Sequence, residues 1–208
     1  MTKASPSALD APDGVTRSAR SDLRAAVGLG LVAAVVVVVA LVMRLVEIVG
    51  GDGVAVPVRF EEAVVAVPGT TASTPVTADA GSVVVDGLPP ATFASVVLAA
   101  VLPSLAALVV IACAVLVFRR VLRGDGFARG TARLVSTASF AVLGGWVAGG
   151  LLDTMASNGA LALATERAGE GVVFSVSWLP FLAAMALAGL AVLVRSGERL
   201  RDDADGLV

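Results

Sequence analysis

Residues 25–43 form an uninterrupted apolar run of about 19 residues. At about 1.5 Å per residue a helix over that run is about 28 Å long, close to the thickness of a bilayer's hydrocarbon core. The run includes consecutive valines at 35–39, which favour a strand. In lipid, however, only a helix satisfies its own backbone polar groups within one segment, so membrane context overrides that propensity. The run is longer than the apolar core of a cleaved signal peptide and follows about 24 residues of mixed polar sequence, which predicts a retained anchor.

Three further runs repeat the pattern. Residues 93–118 are entered from Pro89-Pro90 and stopped by Arg119-Arg120, with Pro103 inside, where it kinks the helix and frees a carbonyl. Residues 134–152 and 172–194 complete the set. With 57% hydrophobic and 15% charged residues, against about 25% charged in soluble domains, little is left for a water-soluble core. The expected fold is an all-α membrane protein, a four-helix transmembrane bundle with a small extracytoplasmic β-rich insertion between the first two helices. Its segments are a disordered leader (1–24), first span (25–49), external β-rich segment (50–90), second span (91–118), basic loop (119–133), third span (134–152), external loop (153–171), fourth span (172–194) and tail (195–208).

Positive charge orients this array. Lys3, Arg17, Arg20 and Arg24 lie in the leader, Arg119, Arg120, Arg123, Arg129 and Arg133 in the middle loop, and Arg195, Arg199 and Arg201 in the tail. The other two loops hold only Arg59 and Arg167. The bias predicts a multi-pass protein with both termini in the cytoplasm. One Lys among so many Arg, with abundant Ala, Val and Gly, is the composition of a GC-rich genome and points to a bacterial cytoplasmic membrane.

The longer external segment carries strand-like runs at 54–60, 63–67 and 82–85, separated by Gly, Pro, Thr and Ser, and predicts a β-ribbon or three-stranded sheet on the outer mouth of the bundle. Asp52, Glu61, Glu62, Asp79 and Asp86 against Arg59 make it acidic, suited to cations or a basic partner if it is more than a solvated cap.

The chain has no His and no Tyr, and Cys113 is its single cysteine, which removes imidazole chemistry, disulfides and thiolate clusters. No enzyme activity, cofactor or metal is expected. The candidate functional residues are therefore polar groups in the membrane. Arg44 and Glu47, three apart near the outer end of the first span, share a helix face and form a candidate intramembrane ion pair, or snorkel to the interface. Ala141, Gly145 and Gly149 recur every four residues and form a helix-packing seam, used either within the bundle or between two copies in a homo-oligomer. In the middle loop, Gly124, Asp125, Gly126 and Phe127 read as a tight inner turn, too short and without the Gly-Lys-Ser/Thr ending of a phosphate-binding loop. The basic loop, with Arg119, Arg120, Arg123, Arg129 and Arg133, faces anionic lipid headgroups, and no direct contact with nucleic acid is expected. Beyond the fourth span the tail continues helical to Gly206 and ends on apolar Leu207-Val208.

The inner turn and the tail together carry a resemblance. The chain resembles the bacterial four-span membrane family catalogued as domain of unknown function two-nine-seven-five, in its long external loop, its basic inner turn at Gly124, Asp125, Gly126 and Phe127, and its ending at Gly197, Leu200, Arg201, Asp202, Asp203, Gly206, Leu207 and Val208. Gly126 stands where that family's turn carries Pro. The resemblance covers residues 25–208 and leaves out the leader. It implies a four-span fold, no catalytic residue to carry over, and a cytoplasmic helix-turn-helix regulator as partner, because relatives are often encoded beside one.

Two exposed modules joined by a small bundle suggest a non-enzymatic membrane sensor or regulatory partner. The alternative, motivated by Arg44, Glu47, Asp153 and Pro103, is a small transporter or channel subunit.

Overall fold

The computed structural model describes residues 17–51, 53–65, 76–124, 130–165 and 177–205. Four helices and one hairpin follow in the order α1 (Arg17–Gly50), β1 (Val54–Val65), β2 (Val76–Val85), α2 (Pro90–Leu122), α3 (Thr131–Thr165) and α4 (Leu179–Asp205). All four helices are long and apolar enough to cross a membrane. Much of their surface consists of exposed large aliphatic side chains, most densely on α1, where Leu29, Val32, Val35, Val39, Val42 and Val46 are all half or more exposed. Such a surface is suited to lipid.

Each helix packs on its neighbours in sequence. The α2–α3 interface is the most extensive, followed by α3–α4 and α1–α2, while α1 and α4 share no extensive contact among the described residues. The helices therefore stand in a row and do not close a ring. Gly145 and Gly149 explain the tightness of the central pair. A Cβ on Gly145 would stand 2.5 Å from the Ala106 Cβ, and one on Gly149 would stand 2.9 Å from the Pro103 Cγ. Only a hydrogen fits between these backbones. The seam thus faces α2 of the same chain.

The helices exceed the apolar runs that define them at every end but one: α4 begins at Leu179, inside the run 172–194, of which 172–176 lie outside the described residues. α1 begins at Arg17, eight residues before residue 25. α3 continues from Leu152 through Thr165, so that most of the stretch expected as a second external loop is helix. α4 runs through Asp205. α2 starts with Pro90 in its first turn, where a missing N–H is harmless, and passes through Pro103 without interruption.

Between α1 and α2 lies a two-stranded antiparallel hairpin, with Val54 opposite Val85 and Val65 opposite Val76. The two strand-like runs expected at 54–60 and 63–67 are, as far as Val65, one strand, bent by a bulge between Arg59 and Ala63, so among the described residues the ribbon has two strands and not three. A lone hairpin is marginal in water. This one is anchored by alternation: Val56 and Val58 are at most 1% exposed, while Pro57 between them faces out. Val56 and Val85 join Ile48 of α1, Val96 of α2 and Ala156 and Ala160 of α3 in the main apolar cluster. The core thus sits under the hairpin at one end of the row.

Candidate functional site

The register of the helices can be read from their closest approaches. On α1–α2, Gly30 faces Val115 and Ile111; on α2–α3, Gly149 faces Pro103 and Gly159 faces Thr92. Counting along these antiparallel pairs brings Arg44 of α1, Ala99 of α2 and Asp153 of α3 to one level. That level lies about 15 Å from the middle of the run at 25–43, at the edge of the hydrocarbon core. All three line a cleft of about 300 Å³ whose roof is Val56 and Pro57 of β1 and whose wall includes Ser104 and Ala156.

Each polar group there has a local cause. Arg44 follows directly on the apolar run, so its guanidinium reaches back to the interface. Its Nη1 lies 3.3 Å from Glu47 Oε2, and its Nη2 donates to the Ala55 carbonyl of β1 at 3.0 Å. The Arg44 side chain is 36% exposed and that of Glu47 63%, so this is an interfacial pair of the kind that contributes about 0.2–1 kcal/mol. Pro103 has no N–H to give to the Ala99 carbonyl, which removes that acceptor's usual helical donor at the level of Arg44. Ser104 donates to Ala100 at 2.8 Å.

Asp153 sits one turn below Ser157, whose hydroxyl lies 2.7 Å from the Asp153 carbonyl and 3.1 Å from the Pro57 carbonyl of β1. The strand is therefore held from two sides, by Arg44 of α1 and by Ser157 of α3. Ending the third span at Leu152 hid this arrangement. The signal that finds it is the spacing of Gly145, Gly149 and Gly159 against Pro103 and Thr92, which sets the register.

At the opposite end of the row, Glu198 of α4 accepts from the Ala132 backbone N–H at 2.8 Å, so a carboxylate satisfies one of the open donors at the start of α3, where the helix dipole favours negative charge. Arg120 of α2 donates to the Thr131 hydroxyl at 3.2 Å. Arg120 is half-buried, while Arg119, Arg123 and Arg133 are exposed beside it. Gly124 (φ 82°) and Gly130 (φ 95°) hold left-handed conformations at the two edges of the inner turn. Asp125, Gly126, Phe127 and Arg129 lie outside the described residues. In the middle of the row, the Ser139 hydroxyl donates to the Ala184 carbonyl at 2.8 Å and ties α3 to α4.

No family model, curated protein or solved structure matches the chain. Functional argument therefore rests on the geometry. Among the described residues no three carboxylate or thiol side chains gather as metal ligands. The most polar feature of the apolar region is the cleft under the hairpin, joined to both α1 and α3.

Proposed function

We propose that the chain is a non-enzymatic membrane sensor or regulatory partner of the bacterial cytoplasmic membrane, related to the family it resembles. In this reading the hairpin is extracytoplasmic and both termini are cytoplasmic. The observation that carries it is the double attachment of β1, through Arg44 to α1 and through Ser157 to α3. A ligand or partner that shifts the hairpin pulls on two helices at once. α3 in turn holds the other end of the row, where Glu198 and Arg120 converge on its first residues beside the exposed arginines. Those arginines face anionic headgroups, and the tail presents the response to a helix-turn-helix regulator.

The test is purification of the tagged protein in mild detergent from its host, with mass spectrometry of what accompanies it. A variant ending at Arg201 removes the last seven residues of the tail, 202–208, but keeps Glu198 of α4 in place against the start of α3. Recovery of a DNA-binding regulator with the full chain, lost with the shortened chain and altered by Arg44→Ala with Ser157→Ala, supports the reading. Recovery of only further copies of the chain overturns it.

A transport role draws on the cleft shared by Arg44, Ser104 and Asp153. In liposomes it requires ion flux that Arg44→Leu and Asp153→Leu abolish, and flux unaltered by both excludes that path.

A further inference from the structure

Away from the hairpin, a groove of about 270 Å³ runs over the junction of α3 and α4. The packing of the two helices closes its floor, where Ser139, Ala184 and Ala191 are buried and the Ser139 hydroxyl is committed to the Ala184 carbonyl. The open space therefore lies above that contact, between two raised rims. Phe140, 74% exposed, forms the rim on α3, and Met185 and Val192, 59% and 63% exposed, form the rim on α4. Apart from Ser139, Ser136 and Arg195 the lining is apolar.

Both helices bring positive charge to one end of this groove. Arg195, directly after the apolar run 172–194, is part of the lining. Arg199 follows Val192 and Arg195 at helical spacing, and Arg133 precedes Ser136 and Phe140 in the same way, so each extends its own rim. The bond from the Ala132 N–H to the Glu198 carboxylate sets these two rim ends side by side. All three arginines are exposed, and among the described residues none of them has a carboxylate partner. Glu198 is turned onto the start of α3, and Asp202 follows about two turns beyond Arg195. From Arg195 to Met185 the groove is about 15 Å long, half of a hydrocarbon core about 30 Å thick.

We propose that this groove seats one acyl chain of an anionic phospholipid from the leaflet on the arginine side. The chain lies above the α3–α4 contact between Phe140 and Met185, and the phosphate sits between Arg133 and Arg195 with Arg199 beside it. Guanidinium forks match phosphate oxygens in charge and geometry. The half-buried Ser136 hydroxyl, one turn inside Arg133, stands at the depth of the ester groups. A zwitterionic head brings its own cation toward the same arginines and so binds less well. The inference shares with the proposed function only the placing of these arginines at a headgroup layer, and needs neither a signal at the hairpin nor a regulator.

Native mass spectrometry of the full chain released from detergent micelles resolves bound lipids one at a time and gives the dissociation constant of the first. The titrants are phosphatidylglycerol and phosphatidylcholine with identical chains. The anionic lipid is expected to bind about ten-fold or more tightly, the scale that two arginines at a charged interface supply. Arg133→Gln with Arg195→Gln abolishes that preference. Arg119→Gln with Arg123→Gln removes the same charge from the end of α2 and leaves the preference in place. Ala188→Leu fills the middle of the groove and weakens the first binding event by about five-fold or more; Ala188 is exposed, so this variant keeps the helix packing. Circular dichroism of each variant verifies its helices. Equal affinity for the two lipids, an equal loss in both arginine pairs, or binding unaltered by Ala188→Leu overturns the proposal. Recovery of a regulator on purification bears on the proposed function alone, so the two readings fail separately.

Discussion

Replacing Gly145 by Ala adds one methyl at the closest point of the α2–α3 seam. Its Cβ would stand 2.5 Å from the Ala106 Cβ, whereas non-bonded carbons rest about 3.5–4.0 Å apart, so the helices must part by about 1–1.5 Å. Both methyls are fixed to backbone and no rotamer relieves the contact. Overpacking of this kind costs about 1–3 kcal/mol, and the better helix propensity of Ala offsets about 0.5–1 kcal/mol. The expected net loss is about 0–2.5 kcal/mol. Gly144→Ala is the adjacent control. A Cβ there meets nothing within 4 Å, so only propensity acts and stability rises by about 0.5–1 kcal/mol. Adding Ala106→Gly to Gly145→Ala removes the opposing methyl and should restore the seam, with a coupling of about 1 kcal/mol or more. The assay is reversible unfolding in mixed detergent micelles followed by circular dichroism. Equal stability of Gly145→Ala and Gly144→Ala, or additivity with Ala106→Gly, would refute a close approach at that point.

Arg44→Ala removes the side chain's bond to the Ala55 carbonyl, so hydrogen exchange in β1 should accelerate, and more than in Glu47→Ala, which leaves that bond in place. Glu198→Ala uncaps α3 and should destabilise the protein by about 1 kcal/mol, with Glu198→Gln, which still accepts a hydrogen bond, losing less; chemical unfolding of the two variants decides. Ser139→Ala breaks the tie to Ala184 and should cost about 0.6 kcal/mol, the usual worth of an interhelical bond in a membrane, by the same measurement. Cys113 is 6% exposed, so a water-soluble maleimide should label it only after denaturation, and prompt labelling of the folded chain would contradict its burial.

The helices were legible because a 19-residue apolar run has few alternatives, and the hairpin because Val54, Val56 and Val58 alternate with outward residues. Their ends were not. Asp153 and Thr154 mark where α3 leaves the apolar layer but not where the helix ends, since it continues through Ala156 and Ala160 to bury itself under the hairpin. The bulge at 59–63 was hidden as well: the apolar runs 54–60 and 63–67 stop on either side of Glu61 and Glu62, whereas the ladder resumes at Ala63. Arg44 and Glu47 were visible as a pair from their spacing. The partners that make the site, Ala55, Ala99, Asp153 and Ser157, come from other elements and required the register between helices. That register is written in Gly145, Gly149 and Pro103, which as separate residues say only that something packs closely.

The row of helices also bears on how the chain is made. Every extensive helix interface joins elements adjacent in sequence, so each can close as soon as its second member emerges, without waiting for a distant one. The α1–α2 pair and its hairpin roof are complete in outline before α3 exists, and α3 then inserts against an existing surface. The last helix adds a side and not a lid. Its removal would leave three helices with their mutual contacts intact and would strip α3 of a packed face, with the Glu198 cap, the Ser139 tie and the rings of Trp178 and Phe181 against Trp146. Assembly of this molecule is therefore directional, and its least replaceable member is the third helix, which packs against α2, α4 and both strands of the hairpin.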